Sequence, residues 1–287
     1  MKIAIIAPNP TFQTDDLERE ASSRGYTCKR ILLSEVNVTD PQNDQTAKEL
    51  LEYDIVLFRN GADRVTKMIL GKTISENKKI FINSGYFKDP LLSDKFYQTH
   101  IVARAGIAVP KTYSLKESKK DTFSRLTEKL GNPFIMKPAT GAQGFGVNIV
   151  KTESDYAKLS KRIFKTLVQE YIPNDGDYRV LVVGHKAIGT YKRIPPKGDF
   201  RANISQGGSG KKVADEDFSK RLIEMAEKIT PLLNLEIAGI DIMKSQDTGE
   251  LYFIESNSIP QWEGFKATTG INVAGKIIDY FEELSKH

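Results

Sequence analysis

Hydrophobic and polar positions along the first 85 residues follow two patterns, one typical of β-strands and one typical of α-helices. Short apolar runs at 2–8, 54–60 and 78–84 predict strands, whereas 15–26 and 63–77 have the spacing typical of helices. Strands separated by helices predict a parallel sheet with crossover connections. No G-x-G-x-x-G follows the first strand, so a dinucleotide site is not indicated there.

The pattern changes after this first region. A helix is predicted over residues 93–106, with Ser93 as its N-cap and Gly106 at its end. Short strands and tight turns then alternate with longer helices, and a unit of two strands is predicted at 236–257. One further helix is predicted to end at about Leu130, and three more are predicted at 153–165, 215–230 and 270–286. Soft boundaries near 85 and 168 divide this α/β (α+β) chain into residues 1–85, 86–168 and 169–287.

Composition narrows the class of protein. The 287 residues are 39% hydrophobic and 28% charged, and no apolar run approaches the ~20 residues of a membrane span. The N-terminus lacks the features of a signal peptide, so a cytoplasmic location is expected. Cys28 is the only cysteine, and His100, His185 and His287 are far apart, which argues against thiol or imidazole chemistry.

The chain is basic, with 42 Lys and Arg against 37 Asp and Glu, a net charge of +5. This charge predicts anionic partners. Nucleic acid is not expected, because the sequence has no long basic run, zinc-finger spacing or RNP-like aromatic stretch.

The segment 238–258 predicts a β-hairpin with a possible metal site. If its turn centres near Thr248, Asp241 lies directly across from Glu255, and Asn257 points to the same side. Two carboxylates and an amide oxygen suit magnesium. The alternative is a polar sheet face that meets solvent. The opposite, buried face is expected to contain Ile240, Ile242 and Ile254.

A lysine and a glycine-rich loop follow one another in the segment 132–150. Lys137 lies in an apolar strand, where an ammonium group needs an anion. Gly141, Gly144 and Gly146 then form a loop whose backbone can approach phosphates, although an ordinary hairpin explains it equally well. The segment 208–212 resembles a phosphate-binding loop only superficially.

The strand that ends at Glu170 and Tyr171 leads into an irregular segment at 173–176. Such a hinge can offer backbone groups to a purine, and Asp177 could bind ribose hydroxyls. A plain strand end is an equally good explanation.

A basic set follows on neighbouring predicted strands: Arg179, Lys192, Arg193, Arg201 and Asn203. Guanidinium groups bind phosphate and carboxylate in bidentate geometry. For Lys192 alone, a solvated charged face is the simpler interpretation.

Taken together, these motifs resemble the RimK-type branch of the ATP-grasp superfamily. The similarity extends from about residue 50 to 280, and the motifs occur in the family's order. They are SDK with Lys95, PFIMKP, TGAQGFG, QEYI, DYR, DFRANISQGG, AGIDI and IESNSIP. The resemblance implies an ATP-grasp fold in which three lobes hold ATP between two sheets.

The resemblance also implies roles for individual residues. Asp241, Glu255 and Asn257 would hold magnesium, or manganese in its place, with two ions expected. Arg201 and Lys137 would stabilise the transferring phosphoryl group. The expected ATP contacts are Lys95, Lys137, Gly141, Gln143, Gly144, Gly146, Glu170, Tyr171, Asp177, Arg179, Arg193, Arg201 and Asn203.

The implied reaction is ATP-dependent formation of an amide bond through an acylphosphate. The amino-acid substrate is expected to be L-glutamate, and the acceptor to be acidic, either a peptide or protein tail or an anionic coenzyme. Lys192 and Lys197 are the candidates to reach such an acceptor. Two alternatives stay open: a LysX-like ligase that acts on an acidic amino-group carrier protein, and a non-catalytic nucleotide-binding protein. A homo-oligomer is also left open.

Overall fold

The chain forms three β-sheets with helices packed around them. A computed structural model describes residues 1–33, 36–37, 39–40, 43–59, 63–115, 122–139, 146–160, 166–196 and 208–286. The strand expected at DFRANI and the last five residues of the helix predicted at 153–165 lie outside these ranges. Within them, every helix is too short or too polar to span a bilayer.

The helices are α1 (Phe12–Ser23), α2 (Gln45–Leu51), α3 (Arg64–Glu76), α4 (Ser84–Lys88), α5 (Lys95–Arg104), α6 (Phe123–Leu130), α7 (Glu153–Ser160), α8 (Glu216–Leu232), α9 (Glu263–Thr269) and α10 (Val273–Leu284). The strands are β1 (Lys2–Ile6), β2 (Thr27–Ile31), β3 (Ile55–Phe58), β4 (Ile80–Phe81), β5 (Thr112–Leu115), β6 (Phe134–Pro138), β7 (Asn148–Val150), β8 (Thr166–Glu170), β9 (Asp177–Val183), β10 (Lys186–Ile194), β11 (Ser209–Lys212), β12 (Ile237–Lys244) and β13 (Leu251–Asn257).

The first sheet is parallel, as its alternation of strands and helices predicts. Its order is β2-β1-β3-β4, and every pairing is parallel. The strand β2 was not predicted, because only Ile31 of its five residues is fully buried. An edge strand with charged, exposed positions lacks the apolar run that marks a buried strand.

The helix α5 begins one residue later than predicted. Ser93 ends a 3₁₀ turn, and the N-cap is Asp94, whose carboxylate accepts hydrogen bonds from the N–H groups of Phe96 and Tyr97. Aspartate and serine are comparably good N-caps, so the sequence alone did not distinguish these neighbours.

The other two sheets are antiparallel. The second has the order β5-β8-β6-β7 and the third the order β11-β10-β9-β12-β13. In the third sheet, Asp241 pairs with Glu255 across the β12–β13 hairpin, which confirms the predicted pairing of these two residues.

Hydrophobic packing joins the first and third sheets and leaves the second with a core of its own. Two clusters contain buried residues from both β1 and β9, and α10 packs in the second of them. The small cluster around Phe134 and Val168 contains only residues 126–168. The boundaries at 85 and 168 stay predictions, and the second falls within β8.

A single side chain after β4 links the first sheet to the third. Asn83 is 1% exposed, and its backbone adopts the left-handed conformation with φ of 60°. Its amide nitrogen donates to the carbonyls of Ile237 (2.9 Å) and Ser258 (3.2 Å), and its amide oxygen accepts from the Ile237 N–H (2.9 Å). Asn83 therefore fixes both the start of β12 and the loop after β13.

Replacing Asn83 with alanine is expected to lower the free energy of unfolding by about 3 kcal/mol, because three buried backbone groups lose their partner. Urea unfolding measures the change. Asn77→Ala is the control, since exposed Asn77 makes one side-chain bond within its own helix. Asn83→Gly, which suits the left-handed backbone, should recover only part of the loss. A loss below about 1 kcal/mol for Asn83→Ala would contradict this role.

Candidate active site

A cleft of about 860 Å³ lies between the second and third sheets. Apolar side chains from both sheets and their connections form part of its wall, and charged groups converge on it. Its lining comprises Lys95, Ile135, Lys137, Val147, Gln169, Glu170, Tyr171, Ile172, Asn174, Gly176, Asp177, Arg193, Asp241, Met243, Ile254 and Glu255. A cleft with partly apolar walls and a few convergent polar groups is typical of a small-molecule site.

The third sheet carries a buried row of alternating charges. Arg179 donates two hydrogen bonds to the Asp241 carboxylate, the one from its terminal nitrogen at 2.8 Å. Arg193 reaches the same carboxylate at 2.8 Å and binds Asp177 at 2.5 Å. Strand order explains the row, because β9 lies between β10 and β12. Two carboxylates and two guanidinium groups thus balance each other.

Burial and pairing act in opposite directions on these carboxylates. Burial alone would raise the pKa of Asp241, but the guanidinium groups of Arg179 and Arg193 hold it below its usual value. Burial raises the pKa of Asp177, and the Asp241 charge adds to this effect, which Arg193 does not overcome. Burial opposes the charge on Arg193 too, yet the two carboxylates hold its pKa well above the usual value.

Close packing across β12 requires glycine at position 239. A Cβ atom there would lie 2.8 Å from Cδ of Arg179. Because residue 239 has no side chain, the Arg179 side chain can pack over it and reach Asp241. Asp241 is the residue that opposes Arg179 in the β9–β12 pairing.

The other strand of the hairpin binds a cation from α5. Lys95 is the first residue of this helix, and its ammonium group lies 2.6 Å from the Glu255 carboxylate. The backbone N–H of Lys95 donates to the carbonyl of Ala139, just after β6 (2.9 Å). Lys95 therefore connects the second sheet with the hairpin.

Lys137 is a buried cation with a neutral partner. Its side chain is 6% exposed, and its ammonium group donates to the Gln169 side chain at 3.0 Å. Burial lowers the pKa of Lys137 to about 8, although the negative charge of Glu255 opposes that shift. A cation held in this way gains from a bound anion.

The cleft continues past the end of β8. Glu170 and Tyr171 both line it. Two hydrogen bonds hold Glu170 against Lys111: the Glu170 N–H donates to the Lys111 carbonyl at 3.0 Å, and the Lys111 N–H donates to the Glu170 carboxylate at 2.5 Å. Apolar Ile172 and Met243 lie on the same wall. This end can therefore accept a flat, partly apolar group.

One orientation predicted for the hairpin is wrong. Ile240 and Ile242 are fully buried as expected, but Ile254 is half-buried and lines the cleft. The register shifts between Asp241 and Ile242, so that Phe253, and not Ile254, opposes Ile242 and enters the core. A β-bulge of this kind breaks the alternation on which the prediction relied.

Asp241 and Glu255 retain capacity for a metal ion. Arginine hydrogen bonds occupy three of about four lone-pair sites on Asp241. Glu255 binds Lys95 through one oxygen. The Asn257 side-chain oxygen accepts from the N–H of Ile259 (2.9 Å) and does not line the cleft. Hard oxygen donors with two negative charges fit magnesium.

The structure brings most of the predicted residues together and leaves others outside the cleft lining or outside the described ranges. Those that line the cleft are Lys95, Lys137, Glu170, Tyr171, Asp177, Arg193, Asp241 and Glu255. Arg179, Asn257 and Gly146 are described but are not part of its lining. The predicted residues outside the described ranges are Gly141, Gln143, Gly144, Arg201, Asn203 and Lys197.

Sequence reasoning missed several residues of the cleft. Gln169 was a detectable case, because it is a polar residue in an apolar strand, where it binds both Lys137 and the Thr112 hydroxyl. Ile135, Met243 and Ile254 gave no such signal, since an apolar residue in a strand is usually part of the core.

Two other predictions about charge and sulfur can be compared with the structure. Arg179 and Arg193 do lie together, but buried carboxylates balance their charge, and Lys192 pairs with Asp175 at 2.5 Å. Because Arg179, Arg193 and Lys192 are each paired with a carboxylate, these three side chains offer little free positive charge to an acidic acceptor. Burial raises the pKa of Cys28 to about 12, in agreement with a packing role.

Known proteins resemble this chain over its whole length. A family model of the RimK-like ATP-grasp domain matches residues 92–281. A probable alpha-L-glutamate ligase of Legionella pneumophila is 32% identical over 298 residues, which cover 100% of this chain and 97% of that protein.

Two solved structures share the fold. A RimK domain ATP-grasp protein from Sphaerobacter thermophilus has a TM-score of 0.71 at 19% identity and covers 98% of this chain and 99% of its own. The ATP-grasp ligase PsnB, complexed with a precursor peptide and AMPPNP, has a TM-score of 0.71 at 16% identity, with coverage of 100% and 99%. The chain therefore belongs to the RimK-like ATP-grasp family and is an ATP-dependent carboxylate–amine ligase.

Proposed function

We propose that this ligase joins the amino group of L-glutamate to a carboxylate of an acidic acceptor. ATP transfers its γ-phosphoryl group to the acceptor carboxylate, the glutamate amine attacks the resulting acylphosphate, and ADP and phosphate leave. The observation that carries the proposal is the convergence of Lys95, Lys137, Asp241 and Glu255 on one cleft. Relatives called alpha-L-glutamate ligases support the choice of glutamate.

Lys137 and Lys95 are proposed to bind the phosphates. Lys137 is buried beside a neutral amide, so a phosphate would supply the missing counter-charge. Lys95 is held by Glu255 and would exchange part of that contact for a phosphate oxygen. Positioned cations of this kind stabilise the charge that develops during phosphoryl transfer.

Asp241, Glu255 and Asn257 are proposed to hold magnesium, with two ions expected. When bound, the metal supplies positive charge that draws electron density from the phosphates. Arg179 and Arg193 orient the Asp241 carboxylate, and because they lower its pKa they also keep it ionised. Asn257 would have to release the Ile259 N–H or share its oxygen.

The end of the cleft at Glu170 and Tyr171 is proposed to bind adenine, and Asp177 the ribose. Asp177 already binds Arg193, so ribose hydroxyls would complete a partly engaged carboxylate. The further proposed contacts are Gly141, Gln143, Gly144, Gly146, Arg179, Arg193, Arg201 and Asn203. Arg201 is proposed to stabilise the transferring phosphoryl group.

The acceptor is proposed to be a glutamate-terminated peptide or protein tail, and the reaction to take place in the cytoplasm. The structure of PsnB with a precursor peptide supports a peptide acceptor in this fold. The net charge of +5 favours an acidic acceptor.

Glu255→Gln removes one negative charge from the proposed metal site with little change in shape. We expect glutamate-dependent ADP release to fall about 100-fold or more, because magnesium loses a charged ligand. Unfolding should be little changed, since the pair with Lys95 is partly exposed. The control is Glu250→Gln, an exposed position on the same hairpin. Turnover close to wild type at every magnesium concentration would exclude Glu255 as a ligand.

Lys137→Met tests the phosphate role through stability. The folded pKa of about 8 lies below the usual 10.5, so burial of the ammonium opposes folding at neutral pH. The variant should melt at the same or a higher temperature at pH 7, yet lose the rise in melting temperature that ATP gives the wild type.

The same pKa shift predicts a dependence on pH. Between pH 8 and 10.5 the unfolded chain binds the Lys137 proton more tightly than the folded one, so wild-type stability rises with pH relative to the variant. Lys129→Met, at an exposed position of α6, should change neither the dependence of stability on pH nor the ATP-induced rise in melting temperature. An undiminished ATP-induced rise in Lys137→Met would exclude the phosphate contact.

A further inference from the structure

The first sheet has a topological switch point at the carboxyl ends of β1 and β3. From β1 the chain adds β2 on one side and then β3 on the other, so the strand order reverses between β1 and β3. Open parallel sheets bind ligands outside the carboxyl ends of their strands at such a reversal. Arg59 is the first residue after β3, and its N–H donates to the carbonyl of Ile6 at the end of β1 (2.9 Å).

Arg59 lies at this point as a buried cation without an anion. Its side chain is 5% exposed, one terminal nitrogen donates to the carbonyl of Pro260 (2.8 Å), and its guanidinium carbon lies 4.7 Å from the ring centre of Trp262. Among the described residues, Nε of Arg59 has no hydrogen-bond partner. Burial lowers the pKa of Arg59 to about 9, and no described carboxylate offsets that shift.

A second guanidinium group lies beside the same loop. Arg64 stacks over the ring of Tyr86 at 5.7 Å, and the Tyr86 hydroxyl is hydrogen-bonded to the Ser258 side chain. Nε of Arg64 also lacks a partner within the described part of the chain. Burial lowers the pKa of Arg64 although the charge of Asp89 opposes that shift.

The loop that these side chains contact begins where the proposed metal site ends. Ser258 directly follows Asn257, and Pro260 lies two residues further on. Arg59 itself does not line the ATP cleft. A group bound by Arg59 would therefore lie next to the loop that directly follows the proposed metal site.

We propose that Arg59, assisted by Arg64, binds a carboxylate of a substrate at this switch point. A carboxylate is planar and accepts two parallel N–H donors, which a guanidinium group presents. It would give unpartnered Nε an acceptor and supply the missing counter-charge. The identification of the anion as a substrate carboxylate rests on the proposed function, whereas the anion site itself is argued from Arg59 and Arg64 alone. The carboxylate belongs either to free glutamate or to the acceptor tail, and the experiment separates these sources.

The first measurement uses melting temperature and requires no catalysis. Glutarate, a dicarboxylate without an amine, should raise the melting temperature of the wild-type protein, and Arg59→Gln should lose that rise while keeping the rise caused by ATP. Without ligand, Arg59→Gln should be as stable as wild type or more so, because a buried, unpaired charge is removed. Arg59→Lys, which keeps the charge, should recover part of the glutarate effect.

The matched control is Arg30→Gln. Arg30 lies on β2 of the same sheet, is exposed, and donates long hydrogen bonds to the carbonyls of Ala7 and Pro8. This variant changes the net charge equally, so any difference from Arg59→Gln reflects position and not overall charge.

The second measurement identifies the source of the carboxylate. In steady-state assays of ADP release, Arg59→Gln should raise KM tenfold or more for either glutamate or a glutamate-terminated peptide, while KM for ATP changes less than twofold. The substrate whose KM rises is the one that Arg59 binds.

Two results would overturn the proposal. One is an undiminished glutarate effect in Arg59→Gln; the other is unchanged KM for both substrates together with a lower melting temperature, which is the signature of an arginine that only braces the loop at Pro260. Absence of glutamate-dependent ADP release in the wild type would instead contradict the proposed function, and the glutarate measurement would still decide the anion site.

Discussion

A charge removed from water must be balanced inside the protein, and the third sheet is organised by that requirement. Asp241 is 2% exposed, and it is tolerated because Arg179 from the adjacent strand β9 and Arg193 from β10, the next strand beyond, neutralise it. The contact also requires a glycine at 239, because a Cβ atom there would clash with the Arg179 side chain. It also leaves the carboxylate ionised and oriented toward the cleft, which is the state in which it can serve a metal ion.

The same requirement is met only in part at two places, and each is a proposed contact for substrate. Among the described residues, the hydrogen-bond partner of the Lys137 ammonium group is the neutral amide of Gln169, and Arg59 has a backbone carbonyl and an indole ring. Each shows a pKa lowered by burial. A protein that keeps such groups sacrifices stability that a bound anion restores, so the two positions mark where phosphate and carboxylate are expected to enter.

The arrangement of cores suits an enzyme that must enclose a nucleotide. The first and third sheets share their hydrophobic clusters and are further fixed by Asn83, whereas the second sheet has a separate core. Lys95 spans the two parts, with its backbone bound at the end of β6 and its ammonium group on Glu255. A lobe with its own core can shift against the rest with little loss of packing, which is the usual basis of closure over a substrate.

The sequence by itself determined the features that depend on local pattern. Turn residues and alternation gave the register of Asp241 opposite Glu255, helical and strand periods gave the parallel first sheet, and ordered motifs indicated the family. Tertiary structure decided what depends on neighbours distant in the chain. The bulge turned Ile254 from the core to the cleft, the order of strands gave Asp241 two arginine partners, and the docking of the 258–262 loop buried Arg59. An arginine after a strand looks like a solvated charge until that loop covers it, because burial is a property of the assembled fold and not of the residue.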